Sequence, residues 1–146
     1  MELTDEAFQS LMKMKKKFKT DISSIPAASQ RVQFSIIGED NKTEFTVDVD
    51  RKSRIEMKSK VQERYCNNIL LVRVEINGPP HTNPDGSNIG RDHIHTYREG
   101  YGLSWAYNLA GFDPRLFKDK ENFTSVFSDF CLYCNIELDG EYQIVM

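Results

Sequence analysis

The sequence predicts an α+β fold in which one antiparallel β-sheet of about five or six strands is flanked by an N-terminal and a C-terminal amphipathic helix. Three observations predict it. Apolar residues recur at helical spacing near both ends of the chain, over 3–18 and about 120–134. Between these ends, segments alternate apolar and polar and are joined by short polar turns, as in an antiparallel meander. With 146 residues, 39% of them hydrophobic and 11% aromatic, the chain is expected to fold as one domain, 1–146, around a real core.

In the first helix, Leu3, Ala7, Phe8, Leu11, Met14 and Phe18 form the apolar stripe. Thr4 is the expected N-cap, Asp5 and Glu6 sit at the positive end of the helix dipole, and Leu3 and Phe8 occupy the two positions of a hydrophobic staple. Lys13, Lys15, Lys16, Lys17 and Lys19 crowd its second half and read as a solvated face ahead of a phosphate-binding patch. A linker over 21–29 leads to a sheet over about 30–98. Its first strands carry Val32, Phe34 and Ile36, then Phe45, Val47 and Val49, on their inner faces, with a hairpin turn at Glu39–Lys42. A third strand is expected over Arg54–Val61, with Ile55, Met57 and Val61 inward, followed by Gln62–Tyr65. Ile69–Ile76 is the most apolar strand, yet it carries Arg73 and Glu75, a charged pair that needs partners or serves a site. Asp119 is the expected cap of the second helix. There Cys131 and Cys134 lie on the apolar stripe with Phe123, Val126, Phe127 and Phe130, and read as buried small hydrophobes. Residues 141–146 are expected to add a short edge strand.

The stretch Gly78–Leu109 concentrates the chemistry. It holds all three histidines, the only tryptophan, three of the six tyrosines and three of the five prolines. In a strand, His93, His95 and Tyr97 share a face and Ile94 points the other way. Asn83-Pro84-Asp85-Gly86 is a turn, because proline presets φ and glycine accepts φ > 0. That turn folds the chain back and brings His81 toward His93 and His95. Three imidazoles together are a ligand set for a metal, as in catalytic zinc sites. They are equally a general acid and base, with arginine or lysine stabilising a phosphate transition state. A purely structural role, with His93 and His95 bonded to neighbouring strands and His81 capping a loop, stands beside both. Acid–base chemistry is placed ahead of a metal, and no cofactor is expected. The candidate catalytic residues are His81, His93, His95 and Arg73. The candidates for contact with nucleic acid or a protein partner are Lys58, Arg64, Tyr97, Arg98 and Trp105.

The residues Gln62-x-Arg64-Tyr65, Leu71-x-Arg73-x-Glu75-x-x-Gly78-x-Pro80-His81-x-Asn83-Pro84-Asp85-Gly86, His93-Ile94-His95-x-Tyr97-x-Glu99-Gly100-Tyr101, Trp105-Ala106 and Phe130-x-x-Tyr133-Cys134-Asn135-Ile136 resemble an uncharacterised family of small proteins from Gram-positive bacteria and their phages. The resemblance covers roughly 30–136 and implies a domain of unknown function. A shorter likeness, through Arg73, Pro80-His81 and His93-Ile94-His95, is to TumE-type toxins of toxin–antitoxin systems.

Net charge is −3, but 1–64 carry 13 Lys and Arg against 11 Asp and Glu, while 65–146 carry 6 against 11. Global attraction to nucleic acid is not expected, though a local basic patch in the first half is compatible with this balance. The N-terminus MELTDEAF is acidic, no apolar run reaches transmembrane length and the three cysteines are an odd number. A cytoplasmic protein with reduced thiols and no membrane association is expected. Two functions follow as expectations. The first is a metal-independent, toxin-like ribonuclease acting on RNA in phage or mobile-element conflict. The alternative is a non-catalytic, anti-CRISPR-like inhibitor whose acidic second half (Asp85, Asp92, Glu99, Asp113, Glu137) engages a host defence protein.

Overall fold

Thr4 starts the first helix. Its Oγ1 accepts a hydrogen bond from the Ala7 amide at 3.0 Å, pairing one of the amides that a helix N-terminus leaves open. The computed structural model describes residues 2–19, 24–25, 30–51, 58–138 and 143–144, with the backbone alone at 24–25 and 143–144. Helix α1 (Asp5–Lys13) ends at Met14, whose φ of −61° and ψ of 131° are extended. The expected helix over 3–18 is thus shorter, and Lys16–Phe18 is strand β1. The cause is tertiary. β1 pairs with two other strands, and the Lys16 ammonium is buried 3.2 Å from Glu63 and 2.8 Å from the Cys134 carbonyl. These contacts outweigh a helix propensity that is only a weak prior.

The chain continues through β2 (Ser24–Ile25), β3 (Gln30–Gly38), β4 (Glu44–Arg51), β5 (Ser59–Tyr65), β6 (Ile69–Ile76), β7 (His81–Thr82), β8 (Asn88–Ile89), β9 (His93–Thr96), β10 (Ala106–Asn108), α2 (Phe123–Tyr133), β11 (Ile136–Glu137) and β12 (Gln143–Ile144). The fold is α+β. One sheet of eight strands runs in the order β10-β9-β6-β5-β4-β3-β1-β11, antiparallel except where β1 meets β11. The sheet is therefore wider than the expected five or six strands and reaches from Lys16 to Glu137 rather than from about 30 to 98. The extra strands have two or three residues each, too short to show a period. β5 extends through Gln62–Tyr65, while Ile55 and Met57 of the expected third strand lie outside the described residues. Ser24–Ile25, inside the expected linker, pairs with Gln143–Ile144 inside the expected C-terminal strand. Asn122, not Asp119, caps α2 by accepting from the Ser125 amide at 3.3 Å.

Strand register sorts the side chains onto two faces. Ile36, Val47, Val49, Val61, Val72, Val74 and Ile94 are buried on one, beneath Phe123, Val126, Phe127 and Phe130 of α2. Cys131 and Cys134 are fully buried beside them, and burial pushes both thiols up, out of the reactive range. The opposite face is polar. Gln33, Asp48, Gln62, Arg73 and His95 stand directly opposite one another across five strands, as do Arg31, Asp50, Lys60, Glu75 and His93 in the next row. Both rows end on a histidine. No helix among the described residues is long and apolar enough to cross a membrane.

Candidate functional site

Strand β9 delivers His93 and His95 to the polar face, and the hairpin of β7 and β8 delivers His81 over them. Gly86, at φ 88°, closes that hairpin in a conformation that glycine adopts without strain. Asp85 Oδ1 accepts from the Ser87 amide at 3.0 Å and fixes the turn. Buried Asn83 holds the hairpin to the edge of the sheet: its Oδ1 accepts from the Ala106 amide at 2.8 Å, and its Nδ2 donates to the Ala106 carbonyl at 2.9 Å. The three imidazoles therefore converge as the sequence predicted. His81 and His93 each lie 4.8 Å from His95 between ring centroids, and His81 lies 6.1 Å from His93.

Each ring has one nitrogen tied to a backbone carbonyl. His93 Nδ1 donates to Gly90 O, His95 Nδ1 to Leu103 O and His81 Nε2 to Ser104 O, all at 2.7 Å. The second nitrogens of His93 and His95 both face Glu75 Oε2, at 3.2 and 3.4 Å. His93 and His95 are almost fully buried, whereas Glu75 and His81 are partly exposed. His93 and then His95 hold the Glu75 carboxyl well below the usual carboxylate range, against the effect of burial. Burial pulls the His93 imidazole down, but Glu75 and the Gly90 carbonyl outweigh it and leave its pKa raised. Gly78 keeps this arrangement open, since a Cβ there would stand 3.0 Å from Glu75 Oε1.

A hollow of about 190 Å³ lies beside Glu75, lined also by Lys58, Lys60 and Pro79. It shares Asp50 and Lys60 with a groove of about 650 Å³ that runs along the polar rows past Gln33, Asp48 and Gln62 to Arg64. The candidate residues divide accordingly. Lys58 is exposed at the hollow. Arg73 stands opposite His95 and donates through Nε to Gln62 at 3.0 Å. Arg64 reaches the groove, but Asp48 clamps it at 2.7 and 3.0 Å, so its charge is largely neutralised in place. Arg98 stacks over the Trp105 ring at 4.1 Å and donates to the Tyr107 hydroxyl at 2.9 Å. One face of Trp105 is thereby occupied.

Tyr97 keeps the register of His93 and His95, opposite Leu71, one residue beyond the end of β9. Its ring is buried against Phe8. Its hydroxyl accepts from the Leu3 amide at 2.9 Å and donates to the Leu3 carbonyl at 2.8 Å. It anchors the N-terminus and is removed from the candidates for base stacking. Glu75 is the residue the candidate set lacked. Its signal was a lone carboxylate on the most apolar strand. The carbonyls of Gly90, Leu103 and Ser104 leave no trace in side-chain identity.

A family model described as a family of unknown function (DUF6978) matches residues 3–136. No curated protein and no solved structure matches the chain.

Proposed function

Because the chain belongs to this family of unknown function, we propose on its own chemistry that it is a small ribonuclease. The observation that carries this reading is the convergence of His81, His93, His95 and Glu75 where Glu75 lines a hollow together with Lys58 and Lys60. RNA contains its own nucleophile. The 2′-hydroxyl attacks the adjacent phosphorus, the bond to the 5′-oxygen breaks, and the products are a 2′,3′-cyclic phosphate and a 5′-hydroxyl. One proton leaves the 2′-oxygen and one arrives at the 5′-oxygen, so the site must take one and supply one. Imidazole does both near neutral pH. His81 suits the exchange with the strand, because it is partly exposed and its Nδ1 has no hydrogen-bond partner among the described residues. The Glu75–His93–His95 cluster activates the 2′-hydroxyl, and Lys58, Lys60 and Arg73 offset charge on the phosphorane.

The inhibitor reading gains nothing from its candidate acids. Asp92 and Asp113 are paired with Lys120 and Arg115, and Asp85 and Glu99 accept from the Ser87 hydroxyl and the Asp5 amide. Four of the five are thus engaged within the chain, and only Glu137 of the five is exposed with no such bond among the described residues. The test is cleavage of labelled RNA oligonucleotides by the purified chain, with His81→Ala and His95→Ala as comparisons. The expected result is cyclic-phosphate product from the parent and a loss of about a hundredfold or more in each variant. An inactive parent, or folded variants that cleave at the parental rate, overturns the reading.

A further inference from the structure

We propose that Glu75, His93 and His95 form a binding site for a divalent transition metal of the zinc class, with an open coordination position facing the hollow beside Glu75. The inference goes beyond the ribonuclease reading and stands on separate observations. A backbone carbonyl only accepts, so the bonds to Gly90 and Leu103 place the proton of each neutral ring on Nδ1. Nε2 is then a lone pair on both rings. Both lone pairs point at the same carboxylate oxygen, and all three donor atoms lie within 4.8 Å of one another. Three electron-rich atoms meeting in a mostly buried pocket repel unless a positive charge lies among them.

The distances bear on whether protons or a metal supply that charge. A charge-assisted N–H···O bond to a carboxylate contracts to about 2.7–2.9 Å. Donor atoms held at about 2.0–2.1 Å around a tetrahedral ion are separated by about 3.3 Å. The two separations from Glu75 Oε2, 3.2 and 3.4 Å, match the edge of a coordination tetrahedron, and the donor set, which spans up to 4.8 Å, closes to that edge on binding. The two carbonyls are the outer partners that fix tautomer and ring orientation in metal-binding histidines. Two imidazoles and one carboxylate leave a fourth position for water or substrate, the pattern of catalytic rather than structural zinc. His81 stays outside the set: its ring abuts His95, but its Nε2 is spent on Ser104.

The experiment is titration calorimetry with zinc and with cobalt(II), on untagged, chelator-treated protein. A Cys66→Ser background is used, because Cys66 is an exposed thiol that would bind either ion. One equivalent of zinc is expected to bind. Glu75→Gln and His95→Ala are expected to weaken binding about a hundredfold or more, and His81→Ala to change it only a few-fold. The cobalt(II) form is expected to show the visible bands of a nitrogen- and oxygen-ligated ion without thiolate charge transfer, a readout that needs no ligand substitution. Absence of binding by the folded parent, or affinity unchanged in folded Glu75→Gln, overturns the site. Metal binding without RNA cleavage keeps the site and removes the ribonuclease reading. Cleavage by the metal-free protein in chelator, together with absence of zinc binding, keeps that reading and removes the site.

Discussion

Asn83→Ala tests how the site is assembled. Asn83 contributes no chemistry to the imidazole cluster, yet its two hydrogen bonds to Ala106, at 2.8 and 2.9 Å, hold the β7–β8 hairpin against β10. The alanine variant leaves an amide and a carbonyl of a fully buried residue without partners. Each such group costs about 1–3 kcal/mol, so a loss of about 3 kcal/mol is expected, held below the maximum because a loosened hairpin admits water. For a chain of this length, about 2–4 °C accompanies each kcal/mol, which places the fall in Tm at about 6–12 °C. Calorimetry measures it. The imidazole NMR signals of His81 should shift and broaden in the same variant, while those of His93, held in β9 against β6, stay in place. A melting temperature within about 2 °C of the parent, or an unperturbed His81, would refute the clamp.

Two other perturbations probe the sheet. Lys16 and Glu63 are both fully buried, and burial raises the Glu63 pKa against the pull of Lys16. Lys16→Met alone should cost about 3–5 kcal/mol in urea unfolding by stranding a buried carboxylate, whereas Lys16→Met with Glu63→Leu should recover most of it. A double variant as unstable as the single one would show that the charge pair is not the cause. Asp48 is desolvated, yet the bonds from Arg64 and Gln62 prevail and hold its pKa below the ordinary 3.8. A carboxylate depressed in the folded state adds stability above its unfolded pKa, and loses it as pH falls through the folded value. Below about pH 4, Asp48→Asn should therefore lose stability less steeply than the parent. Parallel acid limbs in the two proteins would count against this.

By itself the sequence determined whatever rests on local chemistry. Thr4 begins a helix because its hydroxyl pairs with an amide three residues on. Asn83–Gly86 turns because Pro84 presets φ and Gly86 accepts a positive one, and the return of His81 toward His93 and His95 follows from that turn and the period of a strand. The apolar face under α2 was legible from alternation alone. Tertiary structure decided the rest, because the deciding partners are distant in the chain. Met14 and Phe18 suit a helix, while Lys16 and Phe18 suit a strand equally well, and only β3 and β11 alongside settle the choice. Tyr97 is tied to Leu3, 94 positions away. Glu75 came to lie under two imidazoles through the pairing of β6 with β9, and their tautomers were set by carbonyls, which every residue carries alike.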